Sequence, residues 1–165
     1  MAKKKGTKNT RRPITKEELM SLGVTDVTED GTVYVNGKRK PVSLLKSREH
    51  RYGEVLIVTY PGICLQDYST KVSVVQHKRH ADGKLYDYKG WAYKTRNIPL
   101  GRLVYAWFHG EVPANMDIDH IDNNKWNNNI NNLQMLTRRE NLARRSLSWE
   151  EITRLYLERK REMGE

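Results

Sequence analysis

The sequence predicts an α+β fold, with a small antiparallel β region followed by a hairpin-plus-helix unit flanked by helices. Three observations carry that prediction. Residues 32–95 read as short strands punctuated by turn pairs. Pro99 to Gly110 repeats apolar residues at helical spacing, and Met116 to His120 alternates before an Asn-rich loop and a capped helix.

At 165 residues the chain suits one domain, or a compact domain with arms. Hydrophobic residues make up 37% and charged ones 30%, and mean hydropathy is −0.83, so a small core under a large surface is expected. The net charge of +10 calls for a polyanionic partner. No stretch approaches the roughly 18 apolar residues of a membrane span. The basic N-terminus leads into polar residues instead of the apolar core of a secretory signal. Cys64 is alone, which excludes an internal disulfide and a zinc site built from thiols. A cytoplasmic protein is expected.

In chain order, residues 1–12 are expected to be a disordered basic arm, carrying Lys3, Lys4, Lys5, Lys8, Arg11 and Arg12 with no acid. Such an arm is either a solvated tail or a follower of phosphates, with nuclear targeting a weaker third choice. Ile14 to Gly23 predicts a short helix, with Thr15 and Glu18 as a capping box, Ile14 stapled on Leu19 and Gly23 as the stop. Val33–Val35 and Lys38–Lys40 predict a hairpin around Asn36-Gly37 with a type I′ turn. Glu54 to Tyr60 predicts a strand broken by Pro61-Gly62, and Val72–His77 pairs with Lys84–Tyr88 around Asp82-Gly83. Two readings stand for the cations of residues 13–97, Lys38, Arg39 and Lys40 among them. They contact DNA, one hairpin entering a major groove, or they blunt exposed sheet edges. His77 and His80 lack a third ligand nearby and are read as solvent-exposed or base-contacting. Trp91 and Tyr93 are expected in the core.

The helix at Pro99–Gly110 places Leu100, Leu103, Val104, Trp107 and Phe108 on one stripe, a hydrophobic platform beneath the next hairpin. Met116 to His120 then predicts a strand with Met116, Ile118 and His120 on one face and Asp117 and Asp119 on the other. Asp119 and His120 can serve one site only where the strand twists or ends between them. Residues 122–132 turn the chain, since Asn and Asp tolerate left-handed backbone. Leu133–Leu136 returns as a strand, and Thr137 with Glu140 caps a helix that carries Asn141. The Asp119 carboxylate and Asn141 amide oxygen suit a hard divalent cation, and His120 could take a proton from a water beside it. Asp117 and Asp122 are extra ligands or, the preferred reading, supporting and loop-bracing residues. Arg138, Arg139, Arg144 and Arg145 form a basic cluster without an equal number of acids, fit for a DNA backbone. Ser148 and Glu151 cap a terminal helix over residues 148–165 whose face is marked by Trp149, Ile152 and Tyr156.

Asp119-His120-Ile121-Asp122, Asn124, Asn127-Asn128, Asn132-Leu133 and Thr137 to Asn141 resemble the ββα-metal motif of the HNH nucleases, most closely its phage homing-endonuclease-like branch. With Arg102-Leu103-Val104-Tyr105 to Gly110, the likeness covers a quarter to a third of the chain. It implies a nuclease core at residues 98–147, Asp119 and Asn141 as ligands of Mg2+ (Mn2+ substituting), His120 as general base, and Asn132 as the central Asn that braces the loop and orients His120. No structural zinc is expected. Many such enzymes have His where Asn141 stands, and relatives often have His where this chain has Gly101. The implied activity is nicking or cleavage of double-stranded DNA, in a bacterial host cytoplasm. The alternative is a non-catalytic or RNA-directed nucleic-acid-binding protein that keeps the fold.

Overall fold

The computed structural model describes residues 12–51, 54–144 and 147–162. In chain order its elements are β1 (Ile14–Thr15), α1 (Lys16–Ser21), β2 (Val24–Val27), β3 (Val33–Val35), β4 (Lys38–Arg39), β5 (Ser43–Arg51), β6 (Glu54–Arg79), β7 (Leu85–Pro99), α2 (Leu100–His109), β8 (Glu111–Val112), β9 (Met116–His120), β10 (Leu133–Thr137), α3 (Arg138–Arg144) and α4 (Trp149–Glu162). The fold is mixed α and β, with four small antiparallel sheets among the described residues: β1 with β8, β2–β3–β4, β5–β6–β7, and β9 with β10. Among the described residues no helix is long and apolar enough to cross a membrane. Most of the proposed basic arm lies outside the described residues.

Local sequence accounts for most boundaries. The Thr15 hydroxyl accepts from Glu18 N at 3.1 Å and starts α1, while Gly23 ends that segment at φ +89°. Asn36 and Gly37 both take positive φ, which closes the β3–β4 hairpin with the right twist. Gly110 stops α2, donating its N–H to Ala106 O. Ser148 N donates to Glu151 Oε2 and Glu151 N to the Ser148 hydroxyl, a reciprocal cap on α4. The side chains of Trp149, Ile152 and Tyr156, expected to mark the face of α4, lie outside the described residues.

The core gathers around α2. Leu100, Leu103, Val104 and Ala106 pack with Ile14, Leu19, Val24, Val27, Val33, Ile63, Leu65, Ile98, Val112 and Leu133. Phe108, expected on the buried stripe, is exposed, and Trp107 is only partly buried against the core. The smaller Ala106 sits inside instead. Arg102 is buried too. Its guanidinium donates to Met116 O at 2.6 Å and Pro113 O at 3.2 Å, tying α2 to the start of β9.

Two expectations fail in the central sheet. Pro61-Gly62 does not break the strand, since β6 runs unbroken from Glu54 to Arg79. Here β6 changes partner: Pro61 lies opposite Leu44, while Gly62 faces both Ser43 of β5 and Pro99 of β7. A residue without an N–H is tolerated where pairing changes hands. A Cβ on Gly62 would strike Leu45 Cδ1 and stand 2.8 Å from Ile98 O, so only glycine fits between three strands. Trp91 and Tyr93 are not in the core. Beyond Leu65, β6 and β7 run on as a two-stranded ribbon on which no layer packs among the described residues, and Trp91 is 75% exposed. His77 and His80 are exposed on that ribbon, bonded to Asp87 and Tyr88.

Candidate active site

β9 and β10 pair antiparallel from Met116 opposite Thr137 to His120 opposite Leu133. Alternation divides the side chains of β9 between two helices. Ile118 packs on the core, and His120 lies on the same side, beside Gly101 of α2. Asp117 and Asp119 face α3, whose first turn is held by a reciprocal cap. Thr137 N and its hydroxyl both donate to Glu140 Oε2 at 2.7 Å. Those two bonds, the hydroxyl's first, hold the Glu140 carboxyl below its ordinary value.

Asp117 is 5% exposed, and its Oδ2 accepts from Arg138 Nη1 at 3.1 Å and Asn141 Nδ2 at 3.0 Å. The helix is thereby pinned to the strand with the Asn141 amide in a fixed orientation. Asp119 Oδ2 accepts from Gln134 Nε2 at 3.1 Å. Arg144 Nε stands 3.0 Å from the same oxygen, but its N–H points off line and is buried without an acceptor. This is proximity of opposite charges, not a hydrogen bond. Arg144 is anchored instead through Nη2, which donates to Ile121 O at 3.0 Å. Of the basic cluster, Arg138 and Arg144 thus stand against hairpin acids, Arg139 is exposed, and Arg145 lies outside the described residues. Lys38 and Arg39 are exposed and Lys40 partly buried, all in or beside β4 on a different sheet.

The Asn-rich loop divides its labour. Asn132 is 3% exposed; its Oδ1 accepts from Asp122 N at 3.1 Å, and its Nδ2 donates to Asp122 Oδ1 at 2.9 Å and Asn127 O at 2.8 Å. Asn127 Nδ2 takes the other Asp122 oxygen at 2.8 Å. Asp122 therefore braces the loop with both oxygens. The side chain bonded to His120 is that of Asn128, whose Oδ1 lies 3.1 Å from Nε2. Asn128 Nδ2 donates to Lys125 O and Trp126 O, which fixes the amide with its oxygen toward the ring. A Cβ on Gly101 would stand 3.3 Å from that oxygen and 3.5 Å from Nε2, so the bare backbone of α2 walls the pair. The loop is backed from the β2–β3 turn, where Glu29 O accepts from Ile130 N at 2.8 Å and Gly31 lies against Asn128.

Asp119 and Asn141 therefore share the α3 side of the strand, and His120 leaves its end toward α2. The donors are hard oxygens, the kind that suits magnesium or manganese. Among the described residues no group of three or more His, Cys, Asp and Glu converges as a metal cage. A cation here would have two protein ligands and complete its shell with water and phosphate. Sequence alone assigns no role to Asn128, Gly101 or Arg102. Apart from the family likeness, one amide in a run of amides, one glycine inside a helix and one charge beside an apolar stripe carry no distinguishing pattern.

The sequence profile of the HNH endonuclease family matches residues 100–143, the span from α2 through this hairpin to α3. Residues 100–143 are an HNH endonuclease domain. Over 71 residues the chain is 35% identical to the SPbeta prophage-derived putative HNH homing endonuclease YosQ of Bacillus subtilis (strain 168), covering 43% of this chain and 39% of that one. Over 58 residues it is 34% identical to the uncharacterized HNH endonuclease L560 of Acanthamoeba polyphaga mimivirus, covering 34% and 31%. The chain thus spans only 31–39% of the length of the curated relatives it matches. No solved structure matches it. In this HNH domain, α2 supplies the wall, the loop holds the imidazole, and α3 brings Asn141 to the acidic face of the strand.

Proposed function

We propose that the protein is a metal-dependent endonuclease of homing type that hydrolyses phosphodiester bonds of double-stranded DNA in a bacterial cytoplasm. The observation that carries this reading is the Asn128 amide inside the HNH domain. Its NH2 group is committed to two carbonyls, so only its oxygen can meet His120 Nε2. The neutral imidazole must then keep its proton on Nε2, which leaves the Nδ1 lone pair as the base. A ring fixed in one tautomer can accept a proton from an attacking water without reorganising.

β9, β10 and α3 are the hairpin-plus-helix unit that we read as the ββα-metal motif. Asp119 and Asn141 would hold Mg2+, or Mn2+ in its place, and Asp117 orients the Asn141 amide by accepting from its nitrogen. The cation, when bound, supplies neutralisation of charge on the phosphate and leaving oxygen. Asn132 acts on His120 at one remove, by setting the loop that carries Asn128. Arg139, the β4 cations Lys38 and Arg39, and the adjoining Lys40 are the candidates for phosphate contacts.

The test is nicking of supercoiled plasmid with magnesium. The wild-type protein is expected to produce open circles. His120→Ala should lower the rate at least a hundredfold with duplex affinity unchanged. Loss of affinity together with cleavage would make His120 structural, and undiminished nicking would remove it as the base. Asp119→Ala should demand more magnesium or manganese for the same rate; an unaltered metal requirement would refute its role as a ligand.

A further inference from the structure

Among the described residues, no layer packs on the outer ribbon. From Lys71 opposite Tyr93 to Arg79 opposite Leu85, nine residue pairs of β6 and β7 continue past the core. Every residue in these two segments is exposed except Val74 and Ala92, which are partly buried. A two-stranded hairpin alone in water is marginal in stability, so a ribbon of this length is built to lie against something. Its charge says what. Residues 71–94 hold six cations (Lys71, Lys78, Arg79, Lys84, Lys89 and Lys94) against two acids, Asp82 and Asp87. Both acids are engaged within the ribbon, Asp82 by Lys84 N and the Tyr86 hydroxyl and Asp87 by His77.

The two faces differ. Register places Gln76, Lys78, Tyr86 and Tyr88 on one, where Tyr88 bonds His80, His80 stacks on it and Lys78 lies over its ring. That face satisfies itself and stiffens the tip. The other carries Lys71, Lys89 and Arg79 four positions apart, about 13 Å at strand rise, with Trp91 between the first two and the His77–Asp87 pair between the last two. Among the described residues, Arg79 and Lys89 have no ion-pair partner.

We infer that this ribbon is a duplex-DNA-binding arm that lies in a major groove, its Lys71–Trp91–Lys89–Arg79 face inward. The inference rests on the DNA-directed reading above. Nine pairs span about 27 Å, and a B-form major groove, about 12 Å wide, admits a two-stranded ribbon. The deep, narrow major groove of A-form RNA does not.

The experiment measures fluorescence anisotropy of a random-sequence 30-base-pair DNA duplex and an RNA duplex of equal length, with the full chain and its Arg79→Ala/Lys89→Ala variant. The DNA affinity of the variant should fall about tenfold at moderate salt, and the slope of log affinity against log salt should shrink by about 1.8, two phosphate contacts' worth. RNA-duplex affinity should stay put. Unchanged DNA affinity, or an equal loss on RNA, overturns the groove assignment. Light scattering run alongside overturns it too should the wild type be a dimer that the substitutions dissolve, since the face would then belong to a second copy. Plasmid nicking by the wild type is scored separately, so failure of the nuclease reading is not confused with failure of the arm.

Discussion

Replacing Asn132 with alanine removes three hydrogen bonds from the Asn-rich loop. Two of its three bonds are between neutral groups and one reaches the Asp122 carboxylate, all at a position 3% exposed. Neutral buried bonds are worth about 1 kcal/mol each and one to a charged group about 2, so the expected loss is about 4 kcal/mol. A small domain has only about 5–15 kcal/mol in total. Urea unfolding followed by tryptophan fluorescence should show the midpoint drop with an unchanged slope. Asn123 is the control. It lies in the same run but is exposed with φ +57°, a conformation glycine adopts freely, so Asn123→Gly should change stability by less than about 0.5 kcal/mol. A cost under about 1 kcal/mol for Asn132→Ala, or equal costs for the two substitutions, would refute the bracing role of Asn132.

Gly62→Ala should destabilise the fold by about 1–3 kcal/mol through overpacking, because the added carbon meets Leu45 and the Ile98 carbonyl. Gly90→Ala, with open space around it, should leave thermal unfolding unchanged. Arg102→Met strands three carbonyls that the guanidinium now serves, and a loss of about 3 kcal/mol is expected in the same urea assay. Glu140 contributes to the start of α3 only while ionised. Its folded-state value lies below the ordinary 4.5, so the contribution is complete above that pH and is lost as pH falls through the lowered value. Hydrogen exchange in α3 should therefore accelerate on acidification, and Glu140→Gln should remove that dependence.

Elements whose reasons are local were legible in the sequence. Thr15, Asn36-Gly37, Gly110 and Ser148 act within a few residues of themselves, and each sits at the boundary it was expected to make. The strand pair Met116–His120 and Leu133–Thr137 was likewise readable from alternation and an Asn-rich turn. What could not be read depends on partners far along the chain. Pro61-Gly62 looks like a break until Ser43 and Pro99 are seen on either side of it. Trp91 reads as core because composition does not reveal that its strand runs out into an exposed ribbon. At the site, the choice of Asn128 as the partner of His120, and the placement of Arg138 and Arg144 against Asp117 and Asp119, come from how the loop and α3 fold back on β9.

Glycine within a helix costs about 1 kcal/mol against alanine, and α2 accepts that cost at Gly101. The space it leaves is the room in which the imidazole and its amide meet. The helix that organises the hydrophobic interior and the cradle of the base are consequently one mechanical part. A methyl group added at residue 101 would press first on the Asn128 amide oxygen, and then equally on the ring and on Leu133 of the interior.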